Sequence, residues 1–328
     1  MLLSIVVLSY NRPTQIERIL KNFIGFKDDR VQLIIKDDVS PRFSEIEKIV
    51  NDYNLNKLDT CVKLIKNQKN LGYDLNLLDS FWAVESDYIF LLSDDDFIKT
   101  ELFSELLNIL SFKNHTFYFT PYYRNGFLNR YNISNYNIEN FVNVIYNSIL
   151  FSGLIFERNS VIKMKLNKDF LANSLYTQVY ISSLLIYQSK KFGEMPKNIL
   201  YVGEDGENFF GKNQNATNHN LLADRTSIVA DLNYQYFLIK VVKEISNKTD
   251  TKIETIFLRE YKKRLLGYML RSRGYGFKVH IKFMHCFIKS HVKTFYLHII
   301  ILYLLFLIPS KFARIVYSFG VKHVRNSG

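Results

Sequence analysis

The first hundred residues alternate short apolar runs with amphipathic segments, and each apolar run ends in polar residues. Runs this short, several of them rich in β-branched residues, are typical of strands buried on both faces of a parallel sheet. Four such strands are predicted, over residues 2–9, 31–36, 62–65 and 88–92. The segments between them carry apolar residues at helical spacing. We therefore expect right-handed βαβ units and an α/β fold, with helices flanking a mainly parallel sheet.

Polar clusters follow all four predicted strands. They are residues 9–12 (Ser-Tyr-Asn-Arg), residues 37–38 (Asp-Asp), residues 66–67 (Lys-Asn) and residues 94–96 (Asp-Asp-Asp). Because open parallel sheets bind their ligands at the carboxyl ends of the strands, these clusters are expected to meet at one edge. The pattern predicts a binding site for a polar ligand at that edge.

Three consecutive aspartates follow the fourth strand. Adjacent carboxylates repel one another unless a cation compensates them, and Mg²⁺ is typically held by one or two carboxylates together with substrate phosphates. Asp94, Asp95 and Asp96 are therefore candidate ligands of a divalent cation that also binds a diphosphate. The alternative is a solvated turn, or a helix over residues 97–110 with Asp96 as its N-cap.

The second and third strand ends also allow two interpretations each. A carboxylate of Asp37 or Asp38 suits hydrogen bonds from a base or a ribose, or it closes the strand in an Asx turn. Gly72 permits close approach of the backbone to a ligand, or it makes the turn before the next helix.

Charge is spread unevenly along the 328 residues. Residues 225–328 hold 19 basic and 5 acidic residues, and no acidic residue follows Glu260. The first 224 residues are nearly neutral. We therefore expect an α/β domain over residues 1–215 and a mostly α-helical, cationic C-terminal region over residues 216–328, which suits an anionic partner.

An apolar run of 14 residues, 295–308, is flanked on both sides by lysine and arginine. A spanning helix needs roughly 20 apolar residues, so this run favours peripheral docking on an anionic membrane surface. Core packing, or a homo-oligomer formed through the C-terminal helices, is the alternative. The run is too apolar to follow phosphates and no nucleic-acid motif is visible, so no nucleic acid is expected as a partner. Residues 1–8 lack a basic leader, which predicts a cytoplasmic protein at the inner face of the membrane.

Four segments resemble the family 2 glycosyltransferases of GT-A fold. They are SIVVLSYNRP (residues 4–13), IIKDDVSP (34–41), NLGYDLNLLDSF (70–81) and DYIFLLSDDDF (87–97). The last two are similar to the abequosyltransferase-like branch, which builds O-antigen and capsule. The resemblance implies a Rossmann-like GT-A sheet and an inverting, metal-dependent glycosyltransferase, with residues 1–215 as its nucleotide-sugar-binding and catalytic domain. Its donor would be a nucleotide-diphosphate sugar, UDP first, and its acceptor a hydroxyl of a surface polysaccharide or a lipid-linked oligosaccharide.

The resemblance also implies roles for individual residues. Asp38 matches the aspartate that contacts the base, with Asp37 as the alternative. The residues that would bind the nucleotide are Ser9, Tyr10, Asn11, Arg12, Asp37, Asp38, Asn70, Gly72 and Asp94. The residues that would bind the metal cofactor, Mn²⁺ or Mg²⁺, are Asp94, Asp95 and Asp96.

One departure from the family pattern concerns the catalytic base. Many members carry a Glu-Asp pair at the start of a helix, whereas the corresponding residues 173–188 contain no carboxylate. The candidates are Asp169, just upstream and the first choice, and Glu204 or Asp205 in the loop beyond. The missing pair also leaves open a non-catalytic nucleotide-binding or assembly protein on a degenerate transferase scaffold.

Overall fold

The computed structural model describes residues 1–60, 62–124, 126–130, 137–172, 174–203, 228–291 and 295–326. The chain divides into two compact units, Met1–Thr217 and Asn218–Gly328. The described part of the first unit is α/β, and that of the second is helical.

Strands of the first unit form two sheets. The described strands are β1 (Leu3–Ser9), β2 (Val31–Asp37), β3 (Val62–Lys66), β4 (Tyr88–Ser93), β5 (Phe97–Ile98), β6 (Phe117–Phe119), β7 (Tyr122–Arg124), β8 (Phe127–Asn129), β9 (Leu154–Glu157), β10 (Gly193–Glu194) and β11 (Leu200–Tyr201). The larger sheet has the order β10-β6-β9-β4-β1-β2-β3, and the smaller has the order β5-β11-β7-β8. In the larger sheet β1 runs parallel to β2 and β4, and β9 runs antiparallel to β4 and β6.

Helices connect these strands and cover the larger sheet. Those described in the first unit are α1 (Pro13–Asn22), α2 (Phe43–Asn56), α3 (Gly72–Ser80), α4 (Phe103–Ser111), α5 (Phe141–Asn147), α6 (Arg158–Ile162), α7 (Lys168–Leu171) and α8 (Thr177–Ser189). Because α1, α2 and α3 link β1, β2, β3 and β4 in turn, the predicted βαβ units are confirmed. So is the predicted α/β class with a mainly parallel sheet.

The apolar strands form the core because both faces of the sheet are covered. Ile5, Val7, Ile34 and Phe90 are all at most 1% exposed. Full burial of a side chain of this size stabilises the fold by about 1.5–3 kcal/mol. Since β1 lies between β2 and β4, the carboxyl ends of four consecutive strands meet at one edge of the sheet.

One local expectation differs from the structure. The alternative helix over residues 97–110 does not begin at Phe97, because Phe97 pairs with Tyr201 in an antiparallel β5–β11 ladder and α4 begins only at Phe103. The pairing partner is distant in the sequence, so the local pattern gave no sign of it.

The second unit contains five described helices: α9 (Ile228–Thr249), α10 (Ile253–Gly274), α11 (Phe277–His291), α12 (Tyr296–Leu304) and α13 (Ser310–Asn326). The apolar run 295–308 forms α12 and a short 3₁₀ turn, Leu305–Leu307. His280 ties this run to the unit, since its ring nitrogens lie 2.8 Å from Ser272 Oγ and 3.0 Å from the Leu302 carbonyl oxygen. Within the described residues, no helix has the length and apolar character required to cross a membrane.

Candidate active site

A buried ion pair lies at the carboxyl end of β1. Arg12 Nε is 3.1 Å from Asp94 Oδ1, and the two side chains are 7% and 9% exposed. Asn11 precedes Arg12 in a left-handed conformation, with φ of 59°, and its N–H donates to Ser40 Oγ at 2.7 Å. This backbone bend turns the chain after β1 toward the ends of β2 and β4. The predicted cluster over residues 9–12 therefore contacts the aspartate cluster directly.

Asp38 organises the loop that follows β3. Its carboxylate accepts hydrogen bonds from the backbone N–H of Leu71 at 2.7 Å and of Gly72 at 2.8 Å, and from Asn67 Nδ2 at 2.8 Å. Asn70 Nδ2 donates to the Asp38 carbonyl oxygen at 2.9 Å. Gly72 has a φ of +73°, which a side chain would strain, so the turn before α3 requires this glycine. Three of the predicted nucleotide residues, Asp38, Asn70 and Gly72, thus form one hydrogen-bonded loop.

Asp37 closes β2 in the Asx turn given above as its alternative role. Its carboxylate accepts from the Ser40 backbone N–H at 2.8 Å and also from the Ser40 hydroxyl. Burial raises the pKa of both Asp37 and Asp38, while these hydrogen bonds and those to Asp38 oppose the rise. The end of β2 therefore holds two neighbouring buried carboxyl groups whose charges are stabilised mainly by hydrogen bonds.

Lys36 is fully buried beneath this loop and was not singled out by the sequence. Its Nζ donates to Asn76 Oδ1 at 3.0 Å and to Asn67 Oδ1, and it lies 2.9 Å from Asp79 Oδ2. Asn67 Nδ2 in turn donates to Asp38, so the lysine stabilises the loop through Asn67. A charged residue inside an otherwise apolar strand is the signal that would have drawn attention to it.

Asp95 and Asp96 lie at the carboxyl end of β4. Asp95 is half-buried and accepts a hydrogen bond from Ser93 Oγ. Asp96 is only 5% exposed, and its Oδ1 accepts from the Gly203 backbone N–H at 3.0 Å. Its Oδ2 is buried without a hydrogen-bond partner within the described part of the chain. Such an oxygen marks a place where an additional cation or donor would be accommodated.

Burial and the neighbouring Asp95 raise the pKa of Asp96 to about 7, against the lowering effects of Ser152, Gly203 and Arg130. Arg130 is itself buried, donating from Nη1 to the Ser152 carbonyl oxygen at 2.6 Å and from Nε to that of Asn147 at 2.7 Å. Burial lowers its pKa to about 10. The guanidinium still keeps its charge at neutral pH, and the raised pKa of Asp96 indicates that it compensates that carboxylate only in part.

These carboxylates meet part of the requirement for a divalent cation. Asp95 and Asp96 supply hard oxygen ligands, and the unpartnered Oδ2 of Asp96 fits a cation shared with a diphosphate. Asp94 is engaged by Arg12 instead. Among the described residues, no three His, Cys, Asp or Glu side chains gather into a protein-only metal cage. A cation here would need phosphate oxygens to complete its coordination.

The first-choice base, Asp169, is exposed in α7, where neighbouring Lys168 packs over Trp82 at 5.3 Å. Its role as the base stays a prediction. The other two candidates, Glu204 and Asp205, lie outside the described residues.

The start of α8 has no carboxylate of its own, as the sequence indicated. Gln178 is 2% exposed, accepts from the Tyr73 hydroxyl at 3.1 Å and donates to the Ile149 carbonyl oxygen at 2.7 Å. Asp74 of α3 reaches this helix start instead. It accepts from the Leu175 N–H at 2.8 Å and from Thr177 Oγ1 at 2.8 Å. These hydrogen bonds hold α8 against α3. Burial raises the pKa of Asp74 to about 6, so desolvation of the carboxylate offsets part of the stability that they provide.

Gly203 was also absent from the sequence-based prediction. A Cβ atom built at this position would lie 2.0 Å from the Asp95 carbonyl oxygen, so the chain after β11 passes against the aspartate cluster. Glycine is required for so close an approach of two backbones. The contact joins residues more than a hundred positions apart, which explains why local sequence patterns gave no sign of it.

Residues 4–176 match the domain family described as Glycosyl transferase family 2. No curated protein matches the chain in sequence. Among solved structures, TarS 1–349 of S. aureus in complex with UDP-GlcNAc is 14% identical, with a TM-score of 0.61 over 88% of this chain and 80% of that one. The complex of TarS 1–349 with UDP is 12% identical and has a TM-score of 0.56; the match covers 87% of this chain and 81% of that one. The structure of S. aureus TarS is 14% identical and has a TM-score of 0.56; the match covers 89% of this chain and 49% of that one.

At this identity the TarS likeness establishes the fold, and the fold is GT-A, as the sequence resemblance implied. The family match spans more than half of the chain and includes the strand-end clusters from residue 9 to residue 96. The abequosyltransferase-like branch is a finer assignment that stays a prediction. The chain belongs to glycosyl transferase family 2.

Proposed function

We propose that this chain is an inverting, metal-dependent glycosyltransferase that moves a sugar from a nucleotide-diphosphate sugar to an acceptor hydroxyl. One observation carries the proposal. Asp96 is a buried carboxylate whose Oδ2 has no hydrogen-bond partner among the described residues. It stands beside the half-buried Asp95, and both follow a central strand of a family 2 domain. A divalent cation with a bound diphosphate would satisfy that oxygen and compensate both charges.

The proposed donor nucleotide is a UDP sugar. TarS structures of the same fold contain UDP-GlcNAc and UDP, which supports uridine as the first choice. The nucleotide would lie against the loop that Asp38 holds, with Asn70 and Gly72 on one side and the residues after β1 on the other. Arg12 stays fixed by Asp94 and contributes a positive charge near the diphosphate.

The proposed chemistry assigns separate tasks to the carboxylates. Asp95 and Asp96 would hold the metal, with Asp94 orienting Arg12 beside it. When bound, Mg²⁺ or Mn²⁺ would stabilise the charge that develops on the leaving diphosphate. A protein carboxylate takes the proton of the acceptor hydroxyl as its oxygen attacks the anomeric carbon from the face opposite the diphosphate. Attack from that face inverts the anomeric configuration.

For the base we now favour Glu204 or Asp205 over Asp169. Gly203 donates to Asp96 at 3.0 Å, and Glu204 follows Gly203 directly in the chain. Glu204 and Asp205 are therefore the carboxylates that follow Gly203 in the sequence. Asp169 is exposed in α7, where its neighbour Lys168 packs over Trp82.

The proposed acceptor is a surface polysaccharide or a lipid-linked oligosaccharide. A lipid-linked acceptor would require the enzyme to work at the inner face of a membrane. The cationic second unit, without acidic residues after Glu260, supports this location.

A second candidate is a non-catalytic nucleotide-binding protein on the same scaffold. The observation in its favour is Gln178, whose amide makes two structural hydrogen bonds near the start of α8, where many family members carry carboxylates. This candidate predicts nucleotide binding without turnover.

Release of UDP from UDP-GlcNAc, UDP-glucose and UDP-galactose tests both candidates. The assay would be run with Mn²⁺ or EDTA and with an undecaprenyl-linked sugar extract as acceptor. We expect Mn²⁺-dependent release by the wild type, little change in Asp169→Asn, and a loss of about 100-fold or more in Glu204→Gln or Asp205→Asn. Equal turnover in all three variants would show that the base is assigned wrongly. Binding without release for every donor would favour the non-catalytic alternative.

A further inference from the structure

Large apolar side chains are concentrated on the surface of the second unit. Of the twenty large hydrophobic residues that are exposed in the described part of the chain, thirteen lie between Leu266 and Val316, although the second unit is about half as long as the first. Single exposed hydrophobics are ordinary on a soluble protein, but a concentration of this kind marks an interaction surface.

Helix α12 presents its apolar side outward. Its exposed residues, with the turn that follows, recur three or four positions apart and are each at least 55% exposed: Tyr296, Leu297, Ile300, Tyr303, Leu304 and Leu307. The opposite side of the helix, with His298 and Leu302, faces the interior of the unit. Helical spacing gathers the six exposed side chains into one stripe, so the segment is apolar on its exposed side as well as on its buried side.

The helices before and after α12 also expose large apolar residues. Helix α13 exposes Phe312, Ile315 and Val316, again at helical spacing. Helix α11 exposes Phe277 and Ile281, and the Phe277 ring lies 5.1 Å from that of Phe306 in the turn after α12. We call these exposed residues of α11, α12 and α13, with the turn Leu305–Leu307, the apolar face.

Basic residues accompany the apolar face on the same helices. Lys278 and Lys282 are exposed on α11, and Lys311 is exposed at the start of α13. From residue 261 to the end the chain holds 13 basic and no acidic residues. Tyr296 and Tyr303 add the amphipathic rings that favour a membrane–water interface.

We propose that the apolar face docks this protein on an anionic lipid surface, with the stripe of α12 lying in the plane of the interface. Buried apolar area and attraction of basic residues to anionic headgroups are the two contributions that such a surface combines. Helix α12 has nine residues and is about 14 Å long, roughly half of the hydrocarbon thickness. This length suits a helix that lies along the interface.

The positive charge around the apolar face favours an anionic lipid surface over a second copy of the chain as its partner. A symmetric dimer would place the same cationic region against itself, with no acidic side chain in residues 261–328 to pair with it. An anionic bilayer complements both the apolar stripe and the lysines. The inference concerns the second unit and is independent of the transferase activity proposed for the first.

Co-sedimentation of the full chain with vesicles tests the proposal. We expect binding to phosphatidylcholine vesicles that contain one-quarter phosphatidylglycerol, and about tenfold weaker binding to pure phosphatidylcholine or in 1 M salt, where the Debye length is about 3 Å. Replacing Leu297, Ile300 and Leu304 together by Gln should weaken binding about tenfold or more. The positions are exposed, so thermal unfolding should be unchanged.

A matched control removes equivalent exposed side chains from the first unit, in the double variant Ile24→Gln and Leu55→Gln. It should bind like the wild type, whereas replacement of Lys278, Lys282 and Lys311 by Gln should abolish the preference for anionic vesicles. Absence of vesicle binding by the wild type would overturn the proposal, as would equal binding by all three variants. A wild-type dimer that the α12 variant dissociates, without vesicle binding, would assign the face to self-association instead.

Discussion

Replacing Asp96 by Asn measures how much the buried charge of this residue destabilises the fold when no metal is bound. The Asn side chain keeps an oxygen that can accept from the Gly203 N–H, and it removes the charge of the buried carboxylate. The pKa of Asp96 is raised by burial and by Asp95 from an ordinary 3.8 to about 7. In the metal-free wild type the folded protein therefore holds more protons than the unfolded chain between these values, and stability falls as pH rises through that window.

The expected magnitude follows from the same numbers. Between about pH 5 and pH 7 the folded wild type binds up to one proton more than the unfolded chain. Its free energy of unfolding therefore falls by up to about 1.4 kcal/mol for each pH unit. Asp96→Asn should therefore gain up to about 3 kcal/mol over the wild type as pH rises from about 5 to 8. Other groups titrate alike in both proteins and largely cancel in the comparison. Urea unfolding in EDTA at four values from about pH 5 to pH 8 measures this gain.

The exposed Asp52→Asn variant is the control and should show no pH-dependent gain. The reasoning is refuted if the stability difference between Asp96→Asn and wild type is the same at the two ends of this pH range, or if it decreases.

Other perturbations test the contacts around the site. Arg12→Ala removes the guanidinium that pairs with the buried Asp94 carboxylate, so we expect a loss of about 3 kcal/mol in urea unfolding and weaker nucleotide binding by calorimetry. Asp74→Ala removes the acceptor of two backbone and two hydroxyl donors and should cost about 1–3 kcal/mol; an unchanged urea midpoint would contradict this role. Gly203→Ala should impair metal-dependent nucleotide binding because its Cβ meets a carbonyl oxygen at 2.0 Å, whereas Gly267→Ala, with its nearest contact at 3.9 Å, should bind normally.

Strands buried on both faces could be predicted closely from the sequence because their apolar character is continuous. The predicted strand over residues 31–36 is observed as Val31–Asp37, and that over 88–92 as Tyr88–Ser93. The polar residues at their ends could therefore be placed together at one edge of the sheet from the sequence alone. Their pairing could not be predicted: Asp94 joins Arg12, and Asp37 closes a turn on Ser40.

Contacts between distant segments account for what the sequence did not reveal. Arg130 lies in a stretch without a recognisable motif, yet its guanidinium is buried against carbonyl oxygens of residues 147, 150 and 152. Strand β5 has two residues and owes its existence to β11, about a hundred positions later. The base could not be chosen from the sequence for the same reason, since proximity to Asp96 depends on how the chain returns after β11.

Binding of UDP with and without Mn²⁺, measured by thermal shift on wild type and Asp96→Asn, tests the central claim most directly. At about 100 times its dissociation constant a ligand stabilises the folded state by about 2.7 kcal/mol, which gives a clear rise in melting temperature. The account predicts a rise for wild type with UDP and Mn²⁺ together, and none in EDTA or in Asp96→Asn. A UDP-induced rise that persists in EDTA and in the variant would contradict it.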